Sequence, residues 1–297
     1  MVEYILGNYL VETGKITGGQ LEQVIAKLDQ VRVKMGLLAV AEGIMTIEQA
    51  DEVNRLQATM DKRFGDIAVE KGYLTEEQIS NLLKKQGNTY LAFAQALVNE
   101  ELLQLQELEE VMDSFQEKNG FTKSEMEDLR SDEPERIVPL FLPPEAMGYK
   151  EIVGVLVRTL IRCVDRHVYI GKAALTDEIS VKESAFQKIV GFSAPVAGCT
   201  GIETGLAEAE GGLELIATAF CKEEGTLEKE DMLDAAGEFL NCVNGLYATS
   251  LSRAGIDSEL IPPIYFEGSS TLRAEQVCSL PVYAGGKKAV FVIMGLK

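Results

Sequence analysis

An acid, a second acid and a carboxamide recur at helical spacing in the segment Asp234-Ala-Ala-Gly-Glu238-Phe-Leu-Asn241. At about 3.6 residues per turn, Asp234, Glu238 and Asn241 stand at i, i+4 and i+7 and share one polar face. Leu233, Ala236, Leu240, Val243 and Tyr247 fall on the opposite, apolar face. A helix anchored by that apolar face presents a carboxylate and an amide on the other, and such a face can be a site. Gly237 and Gly245 flank it. Glycine inside a helix costs roughly 1 kcal/mol against alanine, so two of them point to close approach by another backbone, a partner's or the underlying sheet's.

The elements around this helix place it. Beyond Ile137 the pattern alternates between strands and helices. Residues 150–164 carry apolar residues at helical spacing, and residues 168–175, 188–195 and 201–209 have strand character. A helix is expected over 212–222. Thr226 is the expected cap of the long helix, whose first turn (Glu228, Glu230, Asp231) is acidic, as its dipole prefers. Strands follow near 258–266 and 271–280, and then a hairpin from Val282 to Ile293 that turns at Gly285-Gly286. Two long helices packed on an antiparallel sheet make an α+β domain.

The pattern Asp-x-x-x-Glu-x-x-Asn, with Pro263 standing 22 residues beyond Asn241, resembles the signature of the CheC/CheX-type chemotaxis phosphatases. The element order over residues 137–297 also resembles theirs. Members of that family hydrolyse the aspartyl phosphate of a CheY-like response regulator, which brings its own Mg²⁺ and lysine. The transition state is loose, so catalysis rests on positioning and electrostatics. The resemblance makes Asn241 the amide that orients the attacking water, since it donates and accepts without opposing the phosphoryl charge. It makes Glu238 the partner of the regulator's lysine, and puts Asp234, Gly237, Gly245 and Pro263 at the interface. Double-site members carry a second Glu-x-x-Asn; here the matching place reads Glu151-Ile-Val-Gly154, which leaves a single site, as in the CheX type, or a protein on its way to losing activity.

The first third of the chain repeats with a period of 29 residues: Gly7, Gly36 and Gly65, continued by Ala94, and Gly14, Gly43 and Gly72, continued by Glu101. Thr17-x-x-Gln20, Thr46-x-x-Gln49 and Thr75-x-x-Gln78 follow the same period and read as capping boxes. Each unit is then a helix pair, ended at its second glycine, too small to bury its own apolar face. The fourth unit lacks both glycines and the threonine and reads as an atypical terminal repeat.

These units resemble the N-terminal domain of the MshE type, carried by secretion and pilus ATPases, which binds cyclic di-GMP through two tandem 24-residue motifs. Lys34-Met35-Gly36 through Gln57 and Arg63-Phe64-Gly65 through Gln86 each span 24 residues, separated by a five-residue spacer. The resemblance makes Lys34, Gly36, Gly43, Gln57, Arg63, Gly65, Gly72 and Gln86 the ligand set. Lys34 stands where the motif has Arg, and Met35 and Phe64 where it has Leu. An arginine plane stacks on guanine and forks to an acceptor, which lysine does not combine. The bland reading stays open: glycines that only end helices, and stacked pairs that serve docking or homodimerisation.

Composition bounds the rest. The 297 residues suit two domains, and a net charge of −19 opposes broad contact with DNA, RNA or an anionic membrane surface. No apolar run is long enough to span a bilayer and no leader pattern opens the chain, so a cytoplasmic protein is expected. The five scattered cysteines and the single histidine, His167, give no metal-ligand spacing. No phosphate-binding Gly-x-x-x-x-Gly-Lys-Ser/Thr loop occurs. Residues 1–121 are expected as the helical repeat domain, 122–136 as a charged linker and 137–297 as the phosphatase-like domain. Two function classes follow: a signalling protein that dephosphorylates a CheY-like regulator, with an N-terminal sensor of cyclic di-GMP or docking module; or a non-enzymatic receptor or adaptor with an inactive C-terminal domain.

Overall fold

The structure is a computed structural model that describes residues 1–31, 33–57, 60, 62–84, 88–194, 198–222, 225 and 227–297. It divides into two compact units, Val2–Asp132 and Glu133–Lys297.

The first unit is helical. Its pairs are α1 (Val2–Glu12) with α2 (Gly18–Lys27), α3 (Met35–Ala41) with α4 (Ile47–Gln57), α5 (Phe64–Glu70) with α6 (Glu76–Lys84), and α7 (Thr89–Asn99) with α8 (Leu105–Asn119). Between partners the chain turns through a left-handed residue: Gly14, Gly43 and Gly72 at φ 70°, 65° and 72°, and Glu101 at φ 55°. Each donates its N–H to a carbonyl three residues back, closing the preceding helix. Thr17, Thr46 and Thr75 then start the second helix: each main-chain N–H donates to the glutamine three residues on, whose own N–H donates back to the threonine Oγ1.

Two expectations are corrected here. The fourth pair does not cap an end: α7 is buried along most of its length and packs against α1, α2 and α3. Its run Tyr90-Leu-Ala-Phe93-Ala-Gln-Ala-Leu97 is apolar around most of the helix, and such a helix belongs inside. Residues 122–136 are not a linker either. Thr122 and Glu125 form a capping box that opens α9 (Lys123–Ser131), and Met126 and Leu129 are buried. Charge on the other faces masked a two-residue anchor at i and i+3. A short α10 (Pro134–Ile137) follows, with Pro at its start, where a missing N–H costs nothing.

The second unit holds α11 (Lys150–Cys163), α12 (Gly212–Cys221), α13 (Lys229–Arg253) and eight strands: β1 (Tyr169–Ile170), β2 (Ala174–Val181), β3 (Ser184–Val190), β4 (Gly201–Glu210), β5 (Glu259–Leu260), β6 (Ile264–Phe266), β7 (Ser270–Ala284) and β8 (Lys287–Leu296). They form one antiparallel sheet in the order β1-β7-β8-β4-β3-β5, with β2 on β7 and β6 on β3. The β7–β8 hairpin turns at Gly285 and Gly286, both left-handed, with Ala284 opposite Lys287. α13 lies on β3, and α12 packs between β4 and α13. Ala185, Gln187 and Ile189 of β3 share one face and are all buried. Phe186 has the other parity and joins Val181, Ala207, Val277, Val292 and Met294 in a second cluster. No described helix is long and apolar enough to cross a membrane.

Candidate functional site

α13 is anchored by Leu233, Ala236, Phe239, Leu240, Val243, Tyr247 and Leu251, all buried. Asp234, Glu238 and Asn241 are exposed on the other side. The helix begins at Glu228, which adopts extended backbone without a side-chain cap; Thr226 lies outside the described residues. The acids Glu230 and Asp231 fill its first turn.

Asn241 is held from below. Its Oδ1 accepts a hydrogen bond from Gln187 Nε2 at 2.9 Å. The Gln187 Oε1 accepts from Asn244 Nδ2 at 2.8 Å, and the same Nδ2 also donates to Thr204 Oγ1 at 2.8 Å. Gln187, Asn244 and Thr204 are 2%, 0% and 0% exposed. Buried amides of this kind are stable only when bonded, and here each bonds the next.

Asp234 is held from the side. Its Oδ1 accepts from Tyr265 Oη at 3.2 Å. Partial burial, and then the bond to Asp234, push the Tyr265 phenol above its ordinary range. Gly237 explains how Tyr265 reaches across: a Cβ there would stand 2.6 Å from Tyr265 Oη. The close approach expected at Gly237 is thus by a side chain of β6 and not by a backbone. At Gly245 there is no such approach, since a Cβ would meet only Leu260 Cδ1 at 4.0 Å. Pro263 sits between β5 and β6, which both pair with β3. The pair Pro262-Pro263 lacks the donors a strand needs, so the edge strand breaks there and resumes at Ile264. Ile264 and Tyr265 are left 46% and 41% exposed beside α13.

A groove of about 820 Å³ in the first unit is lined by Val33, Lys34, Met35, Asn54, Gln57, Arg63, Phe64, Gly65, Asp66, Ile79 and Leu83. It gathers Lys34, Gln57, Arg63 and Gly65, four of the residues that the sequence resemblance singled out. Gly36, Gly43 and Gly72 do not line it, and Gln86 lies outside the described residues. Gly43 and Gly72 are the left-handed helix ends, whereas Gly36 lets Phe64 pass, at 3.2 Å from a Cβ. Lys34 and Arg63 are equivalent: each is the extended residue before its helix, α3 or α5. The buried Gln95 on α7 fixes the first by accepting the Lys34 N–H at 3.1 Å. Among the described residues no group of three or more His, Cys, Asp or Glu is placed to hold a metal ion.

Sequence reasoning missed Gln187, Asn244, Thr204 and Tyr265. Three of them carried a signal, namely a polar residue at a position whose periodicity points into the core. Tyr265 carried none, since only the break at Pro262-Pro263 brings it over the helix.

Residues 188–285 match the family model of the Chemotaxis phosphatase CheX. Solved structures that resemble the chain include CheX of Desulfovibrio desulfuricans (15% identity, TM-score 0.42, 50% of this chain and 98% of that one). CheX of Vibrio vulnificus is similar at 20% identity and TM-score 0.40, over 48% of this chain and 95% of that one. The CheX of a CheX–CheY–BeF3–Mg complex from Borrelia burgdorferi is similar at 16% and 0.40, over 49% and 96%. No curated protein matches the chain. The matched residues contain all of α13 and both strands that flank Tyr265, and by that match the C-terminal part of this chain is similar to the Chemotaxis phosphatase CheX family.

Proposed function

We propose that the second unit accelerates hydrolysis of the aspartyl phosphate of a CheY-like response regulator. The observation that carries this reading is an exposed Glu238 and a tethered Asn241 one turn apart on one rigid helix, inside the region that matches the phosphatase family. Glu238 pairs with the regulator's active-site lysine and sets the register of docking. Asn241 then faces the phosphoryl group and orders the attacking water, and the regulator's own Mg²⁺ supplies the countercharge. Asp234 with Tyr265 forms the rim, Gly237 makes room for that rim, and Gly245 and Pro263 leave the helix face open to the partner.

The test is phosphate release from a phosphorylated CheY-like regulator. Asn241→Ala is expected to lower turnover about 100-fold or more while complex formation persists, because the amide acts mainly on the water. Glu238→Ala is expected to weaken the complex as well, by about 2–5 kcal/mol if the pair is desolvated in the interface. Binding by the wild type without faster hydrolysis would demote the unit to a docking platform.

A second reading concerns the first unit, as a cyclic di-GMP sensor. It is supported by the single groove that places Lys34, Gln57, Arg63 and Gly65 together. Two cations and apolar side chains suit a ligand with two phosphates and two bases. Arg63 is the residue that offers a planar fork, so Arg63→Ala weakens binding more than Lys34→Ala.

A further inference from the structure

We infer that Gln187 is a positioning residue for the phosphatase reaction: it fixes which end of the Asn241 amide faces the partner. The inference rests on the proposed role of Asn241 and goes beyond it.

A surface asparagine is two-faced. Rotation by 180° about its last bond exchanges a carbonyl oxygen for an NH₂ group, with little change in shape. An amide that must order one water cannot afford that ambiguity. Here the choice is made in the core. The Thr204 hydroxyl has two acceptors in reach, Asn244 Oδ1 at 3.1 Å and the Gln187 main-chain carbonyl at 3.4 Å, and its oxygen accepts from Asn244 Nδ2 at 2.8 Å. The same Nδ2 donates to Gln187 Oε1. The other end of the Gln187 amide, Nε2, is left to donate, and it donates to Asn241 Oδ1. In this arrangement the polarity runs from Asn244 through Gln187 to the surface. Asn241 keeps its oxygen inward and presents Nδ2 and one remaining lone pair of Oδ1 outward. Successive amide bonds also polarise one another, which strengthens the outward N–H donors.

The network has a cost that packing does not repay. Three buried polar residues, one each from α13, β3 and β4, meet at the seam beneath Asn241, where a well-packed apolar replacement is often near neutral. Its product is a single orientation at position 241.

Gln187→Glu in the full chain tests this. The introduced carboxylate still accepts from Asn244, but it cannot donate to Asn241. Only a flipped Asn241, with Nδ2 inward, then bonds to it. Turnover of a phosphorylated CheY-like regulator is expected to fall about 10- to 100-fold near neutral pH, with KM changed less than about threefold. As pH falls and the buried carboxyl takes up a proton, it regains a donor, so the ratio of variant to wild-type turnover rises toward one. A merely structural residue shows no such rescue. The Asn241 side-chain amide, assigned by its disappearance in Asn241→Asp, provides a readout independent of turnover. Its protons exchange fast in the wild type and are protected in Gln187→Glu. Unchanged turnover together with unchanged amide exchange overturns the inference. If the wild type does not accelerate phosphate release, the phosphatase reading fails, and the amide exchange still decides whether Gln187 sets the orientation. Gln187→Met removes both ends of the bridge; a variant that folds and retains wild-type turnover also overturns it.

Discussion

Glu238 and Asn241 share the exposed face of α13 because a 3.6-residue period sorts a helix into faces whatever it packs on. Gly237 was legible as an oddity but not in its meaning. The meaning is Tyr265, whose hydroxyl crosses the helix there and bonds Asp234. This makes different predictions in two backgrounds. Alanine in place of a helical glycine gains about 1 kcal/mol where the added methyl has room. In Gly237→Ala that gain is opposed by a Cβ placed 2.6 Å from Tyr265 Oη, so the ring must leave. With Tyr265→Ala the obstacle is gone. Gly237→Ala is therefore expected to stabilise the Tyr265→Ala protein by about 1 kcal/mol and the wild type by much less. Urea unfolding of the four proteins of the cycle gives the coupling directly. Equal effects in both backgrounds would mean that Tyr265 does not rest on Gly237.

Helix pairs and their ends were readable from glycine and threonine spacing, because those residues act through local backbone chemistry. What the spacing could not reveal is which helix lies inside. α7 has no cap signal stronger than its neighbours'; its place comes from apolar residues on nearly every side. The fourth pair also breaks the pattern at Glu101, which holds φ 55° where Gly14, Gly43 and Gly72 hold similar angles. A side chain in that left-handed region costs about 1–2 kcal/mol, less the greater chain entropy of glycine. Glu101→Gly is expected to raise stability by about 0.5–1 kcal/mol, and Gly43→Ala to lower it by about 1 kcal/mol. Chemical denaturation of the two variants checks both signs. A destabilised Glu101→Gly would show that the carboxylate contributes more than its backbone strain removes. The α9 cap adds a pH dependence. Bonds from the Thr122 backbone and side chain hold the Glu125 carboxyl below its ordinary value of 4.5. A lowered folded pKa contributes stability above 4.5, and that contribution is lost as pH falls through the lower folded value. Thr122→Ala and Glu125→Gln should each flatten that acid limb of the unfolding curve, and an unaltered limb would remove the cap from the account.

The two-unit division was visible as a change of pattern, from paired short helices to alternating strands and helices. Its position was misread because a charged stretch poor in apolar residues was taken for a linker. Residues 122–136 hold few apolar side chains, yet Leu129 is 0% exposed and Met126 3%. α9 also reaches the central helix: Asn88 Nδ2, at the start of α7, donates to the Arg130 carbonyl at 2.9 Å, and the Arg130 guanidinium lies 5.5 Å from the Tyr90 ring centre. Removing it therefore strips two buried side chains from this unit, and a cation–ring contact from the helix that α1, α2 and α3 pack on. Loss of one buried leucine alone costs about 2–5 kcal/mol, a large share of a small domain's total. A fragment of residues 1–132 is thus expected to unfold cooperatively, and one of residues 1–121 to be less stable by at least about 3 kcal/mol or unfolded. The comparison decides more than a boundary. Cyclic di-GMP added to an unstable fragment would report nothing, whereas a ligand that binds only the folded state at 100 times its Kd raises stability by about 2.7 kcal/mol. The longer fragment should then show a thermal shift with cyclic di-GMP that shrinks in Arg63→Ala. Two fragments of equal stability would return α9 to the status of a linker, and a stable longer fragment without a shift would leave the groove as a docking surface.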